Sequence, residues 1–169
     1  MKKLLFFAAV AVFGIATSNA QGQFKGGASL GLPVGDVSDL YSFNVQLDAT
    51  YLWEVADSFE AGATLGYSHS FAKTYSASSG GVTIEFKPDA AQFIPVAATG
   101  RYGLSDEFSV GLDLGYAIGV NDGNDGGLYY RPRVTYGISD SIDIVGSYTG
   151  VSKDGSSFNT ITLGVEFSL

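Results

Sequence analysis

Nine charged residues stand out of step with an apolar alternation: Lys25, Asp48, Glu60, Arg101, Asp113, Arg131, Arg133, Asp143 and Glu166. Four cations against five anions nearly balance. Such a set can line a charged path for ions, or it can lock together as ion pairs. Charge in a low-dielectric interior is costly unless paired, so a paired structural network is the expectation and a charge-lined channel the alternative. His69 is the single histidine and lies between Ser68 and Ser70. A hydroxyl nucleophile beside an imidazole base would suit acyl transfer, but in an extended strand both serines face away from His69. No catalytic residue is assigned, and the chain is expected not to be an enzyme.

Two further stretches could hold a ligand. "NDGNDGG", Asn121 to Gly127, has the composition of a calcium loop. Counting from Asp122, however, Gly126 occupies the third ligand position, and the distal bidentate carboxylate is lacking. Asn-Asp-Gly clusters are good turn formers, so no metal and no cofactor is expected. Residues 72–90, "AKTYSASSGGVTIEFKPDA", carry Tyr75, Val82, Ile84 and Phe86 in a pattern that could continue two strands as a hairpin turning at Ser78–Gly81. An exposed hairpin edge can recruit a partner strand, so residues 72–90 are the candidate site for an extracellular ligand, with a plain solvated loop as the alternative.

These residues need elements to position them, and the chain supplies a repeated one. "YGLSDEFSVGLDLGY" from Tyr102 is echoed by "YGISDSIDIVGSY" from Tyr136, and more loosely by "YLWEVADSFEAGATLGY" from Tyr51. Each is an alternating segment, a tight polar turn and a second alternating segment. Read with a period of two, the chain gives eight strands near Gln23–Val34, Ser42–Glu54, Ser58–Ser70, Ala91–Leu104, Glu107–Val120, Gly127–Ile138, Ser141–Thr149 and Phe158–Leu169. Twenty-three glycines, ten tyrosines and twelve phenylalanines suit strands rather than helices. Pro95 and Pro132 fall inside strands and cannot donate to a ladder, so bulges or register breaks are expected there.

The first 20 residues stand apart. Lys2 and Lys3, an apolar run from Leu4 to Ala16 and a small-residue end at Ala20 have the layout of a cleavable secretory signal. Residues 21–169 are then one β-barrel domain. Removing the two signal lysines takes the net charge from −8 to −10, a poor balance for nucleic acid, whose phosphates demand Lys and Arg. No later run of 18 apolar residues could form a helical span, and without cysteine the exported chain must hold together without disulfides.

One parity of every strand carries no charge at all, while the other is small or polar. An eight-stranded barrel has room inside only for side chains or one small ligand. The apolar set, heavy in Phe, Tyr and Trp, would overfill it, so that set faces lipid. Its aromatics form two belts. Trp53, Phe59, Tyr102, Phe108 and Tyr136 lie beside the tight turns, and Tyr67, Tyr116, Tyr130 and Tyr148 lie at the far ends. Phe59 to Tyr67 and Phe108 to Tyr116 span about 20 Å of height in tilted strands, which fits a thin outer membrane. The turns "EVADS", "SDE" and "SDS" are short, whereas Gly35–Tyr41, Phe71–Ala90, Asn121–Gly126 and Gly150–Ser157 read as mostly longer connections. Short turns on one side and longer loops on the other is the outer-membrane pattern. The fold class is all-β: an eight-stranded antiparallel up-and-down transmembrane β-barrel.

The last segment, "TITLGVEFSL", alternates Ile161, Leu163, Val165, Phe167 and Leu169 to the final residue. With the strand pattern, it resembles the small eight-stranded outer-membrane barrels of Gram-negative bacteria, including the OmpX-like barrels and the OmpA transmembrane domain. In such families the closing strand usually ends in an aromatic residue; here Phe167 is two positions earlier. The resemblance implies a monomer in the outer membrane, in contact with outer-membrane lipid and lipopolysaccharide, inserted by the barrel assembly machinery through those five residues. It implies a structural and surface-interaction role, such as adhesion or recognition, with a small porin-like channel as the alternative and a lipid-modifying enzyme as a distant one.

Overall fold

The computed structural model describes residues 22–79 and 82–169. The expected export segment, residues 1–20, and Gly80 and Gly81 of the expected hairpin turn lie outside the described residues. Ten strands follow in order: β1 Gln23–Val34, β2 Tyr41–Ala56, β3 Phe59–Ala72, β4 Tyr75–Ser79, β5 Val82–Phe86, β6 Ala91–Gly103, β7 Phe108–Gly119, β8 Gly127–Ser139, β9 Ile142–Lys153 and β10 Ser156–Ser168. Eight of them close into an antiparallel barrel in the order β1-β10-β9-β8-β7-β6-β3-β2. The remaining two, β4 and β5, form a separate two-stranded sheet between β3 and β6.

Alternation makes this barrel inside-out relative to a soluble protein. Leu30, Leu47, Leu114 and Leu163 are each more than half exposed, whereas Thr50, Arg101, Asp113 and Glu166 are buried. So broad an apolar surface is tolerated only where another phase covers it, and a closed barrel leaves no unpaired edge in hydrocarbon. Aromatics beside the short turns are neighbours in the ladder: Phe59 pairs with Tyr102, and Phe108 with Tyr136. Ile161, Leu163, Val165, Phe167 and Leu169 are all exposed on the outer face of β10 and just beyond it. The Leu169 N–H donates to the Phe24 carbonyl at 2.9 Å, tying the end of the chain to β1.

Two expectations need correction. The Gly150–Ser157 segment is not a long loop. β9 and β10 run on, pairing Lys153 with Ser156, and leave only Asp154 and Gly155 to turn. Both residues have positive φ, +50° and +83°, the backbone of a type I′ hairpin, for which Asp-Gly is a preferred pair. The prolines, in turn, do not shift the register. Pairing of β3 with β6 stops after Leu65–Val96 and resumes at Ser68–Phe93 in the same register. Likewise β8 and β9 pair at Tyr130–Gly150 and again at Arg133–Ser147. On their other edges Pro95 and Pro132 remain in continuous ladders, opposite Ala117 and Leu112. A missing N–H interrupts the ladder on one side only. The register shifts that do occur lie elsewhere, between Tyr41 and Phe43, Glu54 and Ala56, and Gly137 and Ser139.

Because the Asp154–Gly155 turn needs left-handed backbone, Gly155→Val should destabilise the barrel by about 1–3 kcal/mol. Asp154→Asn, compatible with the same turn, should leave it nearly unchanged. Urea unfolding of the refolded protein in detergent micelles measures both.

Candidate functional site

Among the described residues the lumen is where the barrel concentrates charge away from solvent, and the ladder explains its arrangement. Asp143 and Glu166 are direct neighbours on β9 and β10, a like-charge pair that requires a cation. Lys25 supplies one, with Nζ 2.8 Å from Asp143 Oδ2 and 3.7 Å from Glu166 Oε1. Across the lumen, Arg101 donates twice to Glu166, at 2.6 and 2.8 Å. Arg133 adds a third charge-assisted bond through Nη2, at 2.6 Å. Higher up, Arg131 bridges Asp113 through Nε (2.6 Å) and Asp48 through Nη1 (2.8 Å). Thr99 also donates its hydroxyl to Asp113. Bidentate guanidinium–carboxylate geometry is the strong form of such pairing.

Four cations and four anions are thus joined from β1, β2, β6, β7, β8, β9 and β10. Glu60 is the sequence-predicted member that the structure leaves out. Its ladder partner is Arg101, yet that guanidinium reaches across to Glu166 instead. Glu60 carries no ion pair among the described residues and is half-buried at the short-turn mouth.

Above the ion pairs the lumen turns apolar, a feature the sequence reading missed. Phe93, Tyr129 and Val151 point inward and are buried with Ala91, Ala97 and Ala117. Phe158 packs on Phe93 and Tyr41 with ring centroids 5.5 and 5.1 Å apart. Phe93 and Tyr129 share the inward parity of Arg101 and Arg131. Their gathering at one level depends on the stagger of the strands.

The lumen therefore has two mouths and two barriers. The short-turn mouth is a vestibule of about 650 Å³ lined by Glu54, Glu60, Asp106, Glu107, Asp140 and Asp143. At the loop end a cup of about 310 Å³ has Tyr41, Phe93 and Phe158 as its aromatic lining and Asp89 and Asp122 at its rim. The Asn121–Gly127 stretch forms the side of this cup as a pinned turn. Asn121 Oδ1 accepts the Gln92 N–H, and Asn124 Nδ2 donates to the Gln92 carbonyl at 2.8 Å. Asn124 Oδ1 accepts the Gly126 N–H. The amide oxygens that a calcium loop would offer are engaged within the turn. Asp125 pairs with Lys153 at 2.6 Å, which holds its carboxyl below the usual carboxylate range.

His69 lies on the outer face, its ring 4.3 Å from that of Phe71 and its Nδ1 3.3 Å from the Tyr67 hydroxyl. Ser68 and Ser70 face the lumen, where both accept from Asn44 Nδ2. The imidazole and the two hydroxyls lie on opposite sides of one strand, so they cannot act as nucleophile and base on one substrate.

A profile of the outer membrane protein beta-barrel domain matches residues 5–168. The chain belongs to that family. Membership of this outer-membrane family orients the barrel: the short turns are periplasmic and the longer loops are outside. Among solved structures, the attachment invasion locus protein Ail of Yersinia pestis, crystallised with the heparin analogue sucrose octasulfate, is similar at 14% identity. The match covers 90% of this chain and 100% of that one, with a TM-score of 0.55. Ail in a phospholipid bilayer nanodisc gives 15% identity, 88% and 100% coverage and a TM-score of 0.56. A de novo designed transmembrane β-barrel gives 10% identity, 87% and 95% coverage and a TM-score of 0.54. At these identities the likeness is one of fold. No curated protein matches the chain.

Removing one partner from the buried network leaves charge unpaired. Glu166→Gln should therefore destabilise this outer-membrane barrel by about 3–5 kcal/mol, and Glu60→Gln by less than about 1 kcal/mol. Equal urea midpoints for the two variants would contradict the pairing described.

Proposed function

We propose that this protein is a monomeric envelope barrel that meets partners through its outer loops rather than by passing solutes. One observation carries the reading. The lumen is crossed by an ion-pair plug and, above it, an aromatic seal, while the β4–β5 hairpin rises from the loop side as a separate sheet. Neither outer edge of that hairpin is paired among the described residues, and its paired end residues Tyr75 and Phe86 are exposed. Open strand edges beside apolar side chains suit strand addition by an extended segment.

Charge selects the partner class. The outer connections contain seven acids, Asp36, Asp39, Glu85, Asp89, Asp122, Asp125 and Asp154, against Lys73, Lys87 and Lys153. Two of those lysines are engaged, Lys153 by Asp125 and Lys73 by the Ser38 carbonyl. The surface favours a cationic partner. The heparin analogue bound to Ail is a polyanion, and that ligand class does not carry over to these acidic loops.

Residues 1–20 direct export, and the outward-facing Ile161, Leu163, Val165, Phe167 and Leu169 present the assembly machinery with its closing strand. In place, the apolar face meets outer-membrane lipid and lipopolysaccharide. The passive-channel reading requires both lumenal barriers to open together. It predicts steady single-channel openings in planar bilayers, whereas a plugged barrel shows none. Deleting residues 75–86 should preserve the folded barrel and abolish capture of cationic extracellular polypeptides by whole cells. Undiminished capture by the deletion variant would contradict a role for the hairpin.

A further inference from the structure

Among the described residues, eight buried side-chain atoms have no hydrogen-bond partner in the protein, and four of these are Gln46 Nε2, Asp48 Oδ2, Arg131 Nη2 and Thr149 Oγ1. Each belongs to a side chain more than nine-tenths buried. All four residues line the same small cavity, about 20 Å³ in volume. Buried polar atoms are rarely left without a partner, and finding four residues that carry such atoms in the lining of one cavity marks a place for a ligand.

We infer that this cavity holds a single ordered water molecule as a permanent part of the plug. Size and chemistry agree on the occupant. One water needs roughly 10–15 Å³ of such space and two to four polar partners. The four atoms are complementary to its two donors and two acceptors: Arg131 Nη2 and Gln46 Nε2 donate to it, and Asp48 Oδ2 and Thr149 Oγ1 accept from it. A cation would face the guanidinium and the amide N–H groups, and an anion would face the Asp48 carboxylate. A neutral amphoteric molecule of one heavy atom satisfies all four.

The prolines explain why the cavity lies at this height. Pro95 and Gly66, where β3 and β6 stop pairing, line it. Arg131 and Thr149, at the second interruption between β8 and β9, line it too. The two prolines therefore loosen the wall on both sides of one level, and the water restores hydrogen bonding there. Ion pairs close the cavity from below, while Phe93, Tyr129 and Phe158, which also line it, close it from above. Exchange with bulk water then requires one of those barriers to open. This inference is independent of what the outer loops bind.

Water-to-protein NOE spectroscopy of the folded protein in bilayer nanodiscs tests it. Protons around Thr149 and Gly66 should show cross-peaks with the sign of a slowly exchanging internal water. Thr149→Val, of the same shape, should lose most of that intensity; Gln46→Met serves if the valine variant does not fold. Absence of the cross-peaks in the unmodified protein would overturn the assignment, as would their full persistence in the folded variant. Shifts of the Asp48 and Thr149 signals when rubidium or bromide replaces the buffer ions would show an ionic occupant and overturn it equally.

Discussion

Hydrocarbon offers no partner to a peptide N–H, so a sheet that enters a membrane must close on itself. Closure has a second consequence, which shapes everything else in this chain. Alternate side chains of all eight strands are confined to a narrow interior, and whatever is charged in its buried middle must find its counter-charge there. Glu166 shows how this is met. It sits beside a second acid on the neighbouring strand, and it draws cations from β1, β6 and β8 to compensate. The plug is thus a consequence of the barrel as much as an addition to it.

In the function proposed for this barrel, the surface that meets partners lies outside the lumen. The interior is divided between salt bridges and an aromatic seal, and the two cavities that open to solvent stop at those barriers. What remains free to meet other molecules is the acidic outer rim and the hairpin above it. The hairpin turn of β9 and β10 is reduced to two residues, and Asn121 and Asn124 pin the β7–β8 connection to β6. The segment between β3 and β6 is the part of the outer surface that forms its own sheet.

The barrel itself was legible in the sequence because a period of two is hard to imitate over eight segments. Strand number and the facing of Leu47 or Asp113 follow from parity alone. Other features need the stagger between strands, which parity does not encode. Arg101 has Glu60 as its neighbour in the ladder but Glu166 as its partner across the lumen, 65 residues away. Phe93, Tyr129 and Phe158 come from three strands and meet only because those strands are offset. The Asp154–Gly155 turn is a different kind of miss. Its signal was present as an Asp-Gly pair, but the serines and lysine around it read as loop. The prolines were read correctly as breaks in hydrogen bonding, although a one-sided gap between strands in fixed register was not foreseen.

The account rests on the apolar parity facing lipid. The chain has no cysteine, so Leu112→Cys and Leu163→Cys can each carry a single nitroxide label in an otherwise unmodified barrel. In bilayers, spin-label relaxation should show ready collision with dissolved oxygen at both positions and exclusion of a water-soluble nickel complex. Greater access for nickel than for oxygen at these two leucines would contradict the arrangement of the whole barrel.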